Sequence, residues 1–97
     1  MGRHTTTRAR IFRRNLGAVL RERRLALQLS QEDIAWAVEV TQGTISNYEN
    51  GRSEVPLSVL IGMCEYLQLP PNDLLDIFRQ PFADRQPVQA FRTPVAS

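Results

Sequence analysis

The sequence contains no lysine, one cysteine and one histidine. Because Cys64 has no second cysteine to pair with, an intramolecular disulfide and a thiolate zinc site are excluded. Paired catalytic carboxylates and a phosphate-cradling glycine loop are also absent. We therefore expect no metal, no cofactor, no small-molecule ligand and no enzymatic activity.

Long apolar runs are missing as well. No apolar segment reaches the length that a bilayer-spanning helix needs, so we expect no membrane insertion. The chain has 97 residues, 42% of them hydrophobic, which is enough for one domain with a modest core. These features predict a single soluble, cytoplasmic domain.

The charged residues are unevenly distributed. Residues 1–24 hold eight arginines and one acidic residue, whereas the rest of the chain holds four arginines and nine acidic residues. A basic segment on a nearly neutral chain predicts a polyanionic partner, with nucleic acid ahead of a membrane surface. On charge alone, a solvated charged tail is the alternative.

Apolar residues recur at helical spacing along most of the chain, and no strand-like alternation occurs. This pattern predicts an all-α fold. Ser30 and Thr41 are suited to be helix N-caps, while Asn50-Gly51 and Pro70-Pro71 are suited to end helices. The predicted helices span residues 11–27, 31–38, 41–49, 57–67 and 73–78.

The two ends of the chain differ from this helical region. Residues 1–10 are rich in threonine and arginine, and we expect them to form a disordered basic arm. Residues 79–97 contain three prolines, so this C-terminal tail is not one continuous helix. Residues 11–78 are therefore the predicted folded domain.

Two short capped helices joined by a tight turn are typical of a helix-turn-helix unit, here about residues 31–50. Apolar residues stand where such a unit needs them, and the small side chain of Ala35 allows the two helices to approach closely. These apolar positions are Ile34, Ala35, Val38, Val40, Ile45 and Tyr48.

An ordered set of motifs extends the pattern in both directions. It comprises Leu20-Arg21, Arg24, Leu29-Ser30-Gln31, Ile34-Ala35, Val40-Thr41, Thr44-Ile45-Ser46 and Tyr48-Glu49-Asn50-Gly51-Arg52. Over residues 16–75 the chain resembles the Xre family of phage-repressor and Cro-like DNA-binding proteins. The resemblance implies a five-helix, lambda-repressor-like domain. Gln28, Glu39 and Gln68 stand where that family usually has a left-handed glycine.

The predicted third helix has a polar, uncharged face. With Ile45 facing the core, a step of 100° per residue turns four residues outward, namely Gly43, Ser46, Asn47 and Asn50. Amide side chains can pair bidentately with adenine in the major groove, although a merely solvated face is the alternative. The resemblance places Gln42 in the groove too. The predicted base-reading residues are Gln42, Gly43, Thr44, Ser46 and Asn47.

Phosphate contacts are expected around the same unit. The N-terminus of the second helix, at Gln31, attracts a phosphate through its N–H groups and dipole. The resemblance implies that Arg24 pairs with Glu49 and turns part of its guanidinium toward DNA, although a purely structural ion pair is equally compatible with the sequence. The predicted phosphate contacts are Gln31, Thr41, Asn50, Arg52 and Arg24, including the backbone at Asn50 and Gly51.

One recognition helix reads only a few base pairs, so two copies are expected to bind together. The predicted dimer contacts are the apolar residues of the last helix and the start of the tail, namely Leu74, Ile77, Phe78 and Phe82. Packing of the tail on its own core is the alternative.

Trp36 projects away from the apolar stripe of its helix. Three roles are compatible with this position: Trp36 covers the N-terminal segment, it binds a partner protein, or it simply lies exposed on the surface.

These expectations combine into one functional hypothesis. The chain is a sequence-specific, double-stranded-DNA-binding transcriptional regulator, a repressor that binds a near-palindromic operator as a homodimer. The basic arm adds phosphate or minor-groove contacts. In the alternative hypothesis, an antitoxin or polymerase-interacting module uses the same fold for protein contacts through Trp36 or the C-terminal tail. The resemblance implies a bacterial or phage-encoded protein that associates with the nucleoid.

Overall fold

The structure is a computed structural model that describes residues 7–79. Within this range the chain forms five α-helices and no strand, as the all-α prediction requires. The helices are α1 (Thr7–Ala26), α2 (Gln31–Val38), α3 (Gln42–Glu49), α4 (Leu57–Leu67) and α5 (Pro71–Arg79). None of the helices in this range is both long and apolar enough to span a bilayer.

The outer helices extend beyond their predicted ends. α1 begins at Thr7 rather than at residue 11, so the last four residues of the predicted basic arm are helical. α5 begins at Pro71, because proline at a first helical position sacrifices no hydrogen bond. The remainder of the predicted arm, and the tail with Phe82, lie outside the described residues.

Side-chain caps define the starts of α2 and α3. The Ser30 hydroxyl accepts a hydrogen bond from the Asp33 N–H at 3.0 Å, and the Asp33 carboxylate accepts one from the Ser30 N–H at 2.9 Å. The Thr41 hydroxyl accepts a hydrogen bond from the Thr44 N–H at 3.1 Å. Each cap satisfies a donor that has no partner inside its helix, which confirms both predicted helix starts.

All five helices contribute to one core. α1 packs against α3, α4 and α5, and α2 packs against α3 and α4. The most deeply buried large side chains are Leu20, Ile34, Ile45, Met63, Leu67 and Ile77. Burying each such side chain contributes roughly 1.5–3 kcal/mol.

The burial of Ile77 corrects one predicted dimer contact. Its side chain is only 1% exposed and lies in the core of its own chain, so it is not available to a second copy. Leu74 is partly buried and packs against the same core, whereas its neighbour Leu75 is 50% exposed. Among the side chains of α5 that the structure describes, the exposed apolar surface therefore centres on Leu75, because Ile77 turns inward to anchor the helix.

Three helices end in a left-handed residue that is not glycine. The φ angles are 60° at Gln28, 61° at Glu39 and 56° at Gln68. The turns thus keep the conformation that glycine usually adopts, at a cost of about 1 kcal/mol for each β-carbon. Arg23 supports the end of α4, because its guanidinium donates to the carbonyl oxygens of Leu67 at 2.8 Å and Gln68 at 3.1 Å.

A glycine allows α1 and α3 to touch backbone to backbone. A β-carbon added at Gly17 would collide with the carbonyl oxygen of Tyr48 and would lie 2.6 Å from that of Glu49. No side chain fits at such distances. Gly17 therefore sets how closely α1 approaches the C-terminal end of α3.

Candidate nucleic-acid interface

α2 and α3 form the predicted helix-turn-helix unit. The left-handed Glu39 turns the chain after α2, and the Val40 N–H donates to the Ala35 carbonyl oxygen at 3.0 Å. Ala35 is buried where the two helices meet. The turn thereby holds α3 against α2 and leaves the opposite side of α3 exposed.

The faces of α3 divide largely as predicted. Ile45, Tyr48 and Glu49 are buried, whereas Gln42, Gly43, Asn47 and Asn50 are exposed and Thr44 and Ser46 are partly buried. Three of the four exposed residues carry side-chain amides, Gly43 has no side chain, and none of the four has a formal charge. Such a surface can hydrogen-bond to base edges without a charged group that must be desolvated.

A chain of hydrogen bonds leads from α1 to the first residue of α3. Two N–H groups of Arg24 donate to the carboxylate of Glu49 at 2.7 Å and 3.0 Å. The Gln31 amide donates to Oε1 of Glu49 at 3.0 Å, and its own oxygen accepts from Nε2 of Gln42 at 3.3 Å. Gln42 is therefore oriented by groups on the two other helices.

The ion pair between Arg24 and Glu49, where this series of hydrogen bonds begins, is buried. The side chains of Arg24 and Glu49 are 9% and 2% exposed, and a third guanidinium N–H of Arg24 donates to the Leu29 carbonyl oxygen at 2.8 Å. The hydrogen bonds to Glu49 raise the pKa of Arg24, against the opposing effect of burial. The pairing that the resemblance implied is thus confirmed.

Two other predicted contact residues hold the ends of α3. The hydroxyls of Thr41 and Thr44 are hydrogen-bonded to each other at 2.8 Å. The Asn50 amide donates to the Ser46 carbonyl oxygen at 2.9 Å. These bonds fix the side chains at both ends of the helix, so the exposed surface between them has a defined shape.

In the turn after α3, the backbone N–H groups that were predicted to bind a phosphate already have partners within the chain. The N–H groups of Asn50 and Gly51 donate to the carbonyl oxygens of Ser46 and Tyr48 at 3.0 Å and 3.1 Å. Since these donors satisfy α3 itself, they are not available to a phosphate as predicted. Arg52 offers its side chain instead, which is exposed and has no bonding partner within residues 7–79.

Sequence reasoning missed the support that α1 gives to this turn. The Arg13 guanidinium donates to the Gly51 carbonyl oxygen at 3.3 Å. Gly51 has a φ of 71°, and a β-carbon there would lie 2.9 Å from the α-carbon of Arg14. The sequence shows that Gly51 precedes Arg52, but it gives no sign that α1 passes next to Gly51.

Trp36 lies on the exposed side of α2. Its side chain is 84% exposed, and no residue of the described range covers it. Glu32 and Glu39, which are one helical turn away on either side, are also exposed. Covering the N-terminal segment was one of the three roles expected for Trp36, and residues 1–6 of that segment lie outside the described residues.

The chain is similar to known helix-turn-helix proteins. The family model described as "Helix-turn-helix domain" matches residues 15–76. None of the curated proteins matches the chain.

Solved structures show the same likeness. A crystal structure of the clp gene regulator ClgR from Corynebacterium glutamicum is 33% identical, with a TM-score of 0.63, over 68% of this chain and 85% of that one. A second ClgR structure is 29% identical, with a TM-score of 0.62, over 88% and 86%. The restriction-modification controller protein C.AhdI from Aeromonas hydrophila is 30% identical, with a TM-score of 0.58, over 63% and 92%.

Proposed function

The chain belongs to the helix-turn-helix domain family and has the fold of Xre-like DNA-binding transcriptional regulators, and from this premise we propose that it represses transcription by binding a specific operator as a homodimer. The observation that carries the proposal is the exposed, uncharged amide face of α3, whose first residue, Gln42, donates to Gln31, which in turn donates to Glu49.

In this proposal α3 enters the major groove. Gln42 and Asn47 read base edges, because an amide offers a donor and an acceptor that match adenine. Gly43 has open space around its α-carbon, where an added β-carbon would meet only the Thr41 hydroxyl at 3.9 Å. A base or sugar can therefore approach the backbone there, with Thr44 and Ser46 at the edges of the contact.

Phosphate contacts hold the helix in its groove. Gln31 and the exposed Thr41 stand at the N-terminal ends of α2 and α3, and Asn50 and Arg52 follow the C-terminal end of α3, so that these residues flank the proposed reading face. Arg24 acts mainly through Glu49, since three of its N–H groups are bonded within the chain and only 9% of its side chain remains exposed to reach a phosphate.

The dimer contact is proposed on α5 and the segment after it. An apolar groove of about 310 Å³ runs between α1, α4 and α5, lined by Phe12, Leu16, Leu60, Leu74, Leu75 and Ile77. A second copy that covers this groove through Leu74 and Leu75 would bury exposed apolar surface. The other predicted dimer contacts, the side chain of Phe78 and residue Phe82, lie outside what the structure describes. Sedimentation that shows only monomers at micromolar concentration, with and without operator DNA, would refute the dimer.

In vitro selection of bound DNA tests sequence-specific binding directly. A randomised duplex library should yield two inverted half-sites whose centres are about 34 Å, or one helical turn, apart. Transcription from a promoter that contains the selected site should then fall when the protein is added. Failure to enrich any sequence would contradict specific binding, and increased transcription would contradict repression.

A protein-binding role is the second candidate, and the exposure of Trp36 favours it. An isolated tryptophan that is 84% exposed is costly to leave in water, and partner proteins often cover such a residue. An antitoxin or a polymerase-interacting factor would use it in this way. Trp36→Ser should then abolish regulation in cells while leaving operator affinity in vitro unchanged, and intact regulation would exclude this role.

A further inference from the structure

Six of the seven arginines of α1 fall into two groups. Arg13, Arg23 and Arg24 donate hydrogen bonds to groups elsewhere in the chain. Arg10, Arg14 and Arg21 are exposed and have no hydrogen-bond or ion-pair partner in the part of the chain that the structure describes. We call these three residues the arginine strip.

The arginine strip lies on one side of α1. At 100° per residue, its three positions fall within an arc of about 40° around the helix axis. Gly17 lies next to this arc, and Gly17 is the residue that touches the carbonyl oxygens of Tyr48 and Glu49. The strip therefore runs past the C-terminal end of α3.

A groove joins the strip to the proposed DNA contacts. It has a volume of about 550 Å³, and its lining includes Arg14, Arg21 and Asn50. Two carboxylates also line it, those of Glu22 and Glu49. Because Glu49 is neutralised by its ion pair with Arg24, the two arginines outweigh the single remaining carboxylate, and the groove favours an anion.

The dimensions of the strip suit a nucleic-acid backbone. From Arg10 to Arg21 the helix rises about 16 Å, which is about the axial length of five base pairs of duplex DNA at roughly 3.4 Å each. Arg10 and Arg14 also precede residue 15, where the match to the helix-turn-helix family begins. The strip is therefore largely additional to the family domain.

We propose that the arginine strip binds the phosphate backbone of the DNA that flanks the half-site read by α3. This inference rests on the proposed DNA-binding function and extends the interface onto α1. The three arginines contribute affinity without sequence preference, because phosphates are the same at every base pair. A rigid helix presents them at fixed spacing, in contrast to a disordered arm.

The test is the salt dependence of binding to a random-sequence duplex, measured with the full chain by fluorescence anisotropy. Arg14→Gln and Arg21→Gln should each lower the slope of log affinity against log salt by about 0.9, and the triple variant with Arg10→Gln by about 2.7. Arg79→Gln is the matched control. It also removes one exposed arginine, but from α5, which packs on the Phe12 and Leu16 side of α1.

The outcomes separate the two proposals. If the unmodified chain binds DNA and the triple variant keeps its slope, the strip does not bind phosphates and the inference is overturned. The same holds if Arg79→Gln reduces the slope as much as Arg14→Gln, because the effect is then one of net charge. If the unmodified chain binds no DNA at all, the proposed function itself fails. Circular dichroism of each variant establishes that the helices are intact.

Discussion

Gln31 and Glu49 lie on different helices, and a hydrogen bond of 3.0 Å from the Gln31 amide to Glu49 Oε1 joins them. This bond turns the amide oxygen of Gln31 toward Gln42, whose Nε2 donates to it at 3.3 Å. The first residue of the recognition helix is thus positioned by a residue of α2, and the effects of changing the two glutamines should be coupled.

A double-mutant cycle measures this coupling. Gln31→Ala and Gln42→Ala should each weaken operator binding, and the double variant should lose about 0.5–1.5 kcal/mol less than the sum of the two single losses. Gln31→Ala combined with Asn47→Ala is the control, because no hydrogen bond joins that pair. Additive losses in the Gln31 and Gln42 cycle would show that the bond does not orient Gln42 on DNA.

Base reading and phosphate binding should respond differently to DNA sequence. Asn47→Ala should weaken binding to the selected operator by about 1–3 kcal/mol and leave binding to a random duplex nearly unchanged. Arg52→Gln should weaken binding to both duplexes by similar factors. Equal losses for Asn47→Ala on the two duplexes would contradict the placement of α3 in the major groove.

Two arginine–glutamate pairs within residues 7–79, Arg24–Glu49 and Arg13–Glu54, should differ in their effect on stability. Glu49→Ala leaves the buried Arg24 cation without its partner and should lower the free energy of unfolding by about 3–5 kcal/mol. Glu54→Ala should lower it by less than about 1 kcal/mol, because Glu54 is 73% exposed and lies 4.0 Å from Arg13. Urea denaturation followed by circular dichroism measures the free energy of unfolding of both variants. Similar losses of stability in the two would show that burial of the Arg24–Glu49 pair does not decide its effect.

Two helical glycines should respond in opposite directions to substitution by alanine. Gly17→Ala should destabilise the fold by about 1–3 kcal/mol, because the new β-carbon collides with the Tyr48 carbonyl oxygen and forces α1 away from α3. Gly43→Ala should stabilise it by about 0.5–1 kcal/mol, since alanine favours a helix and the space is open. Thermal unfolding distinguishes the two, and a stable Gly17→Ala variant would be inconsistent with the close contact.

Replacing a left-handed residue with glycine should stabilise the chain. Gln68→Gly should raise the free energy of unfolding by about 0.5–1 kcal/mol, because it removes a β-carbon from a residue with a φ of 56°. Gln68→Ala keeps the β-carbon and should give no such gain. The urea midpoints of the two variants provide the measurement, and an equal gain with alanine would point to the lost side chain rather than to the backbone.

The elements that the sequence predicted well depend on residues close together in the chain. Ser30 caps a helix through a residue three positions later, and Thr41 does the same. The division of α3 into a buried face at Ile45 and an exposed face at Asn47 follows from helical periodicity alone. Such local patterns were sufficient for the number of helices and for the exposed face of the recognition helix.

The incorrect expectations concern positions where local pattern is ambiguous. α5 is apolar on more than one side, so periodicity did not reveal that Ile77 faces the core while Leu75 faces solvent. The arginines near the N-terminus read as a disordered arm because that segment contains few apolar residues, yet the helix continues back to Thr7. For Ile77 the contribution of the neighbouring helices α1 and α4 decided the outcome.

By itself the sequence determined an all-α helix-turn-helix chain with a basic N-terminal quarter and a polar outer face on its third helix, because caps, periodicity and composition are local properties. Only the tertiary structure decided which arginines are used internally and which remain for a ligand. Arg24 meets Glu49 25 residues away, and Arg23 meets Leu67 44 residues away. Such pairings depend on how helices cross, and α1 crosses α3 at Gly17 because only glycine leaves room for the two backbones to touch.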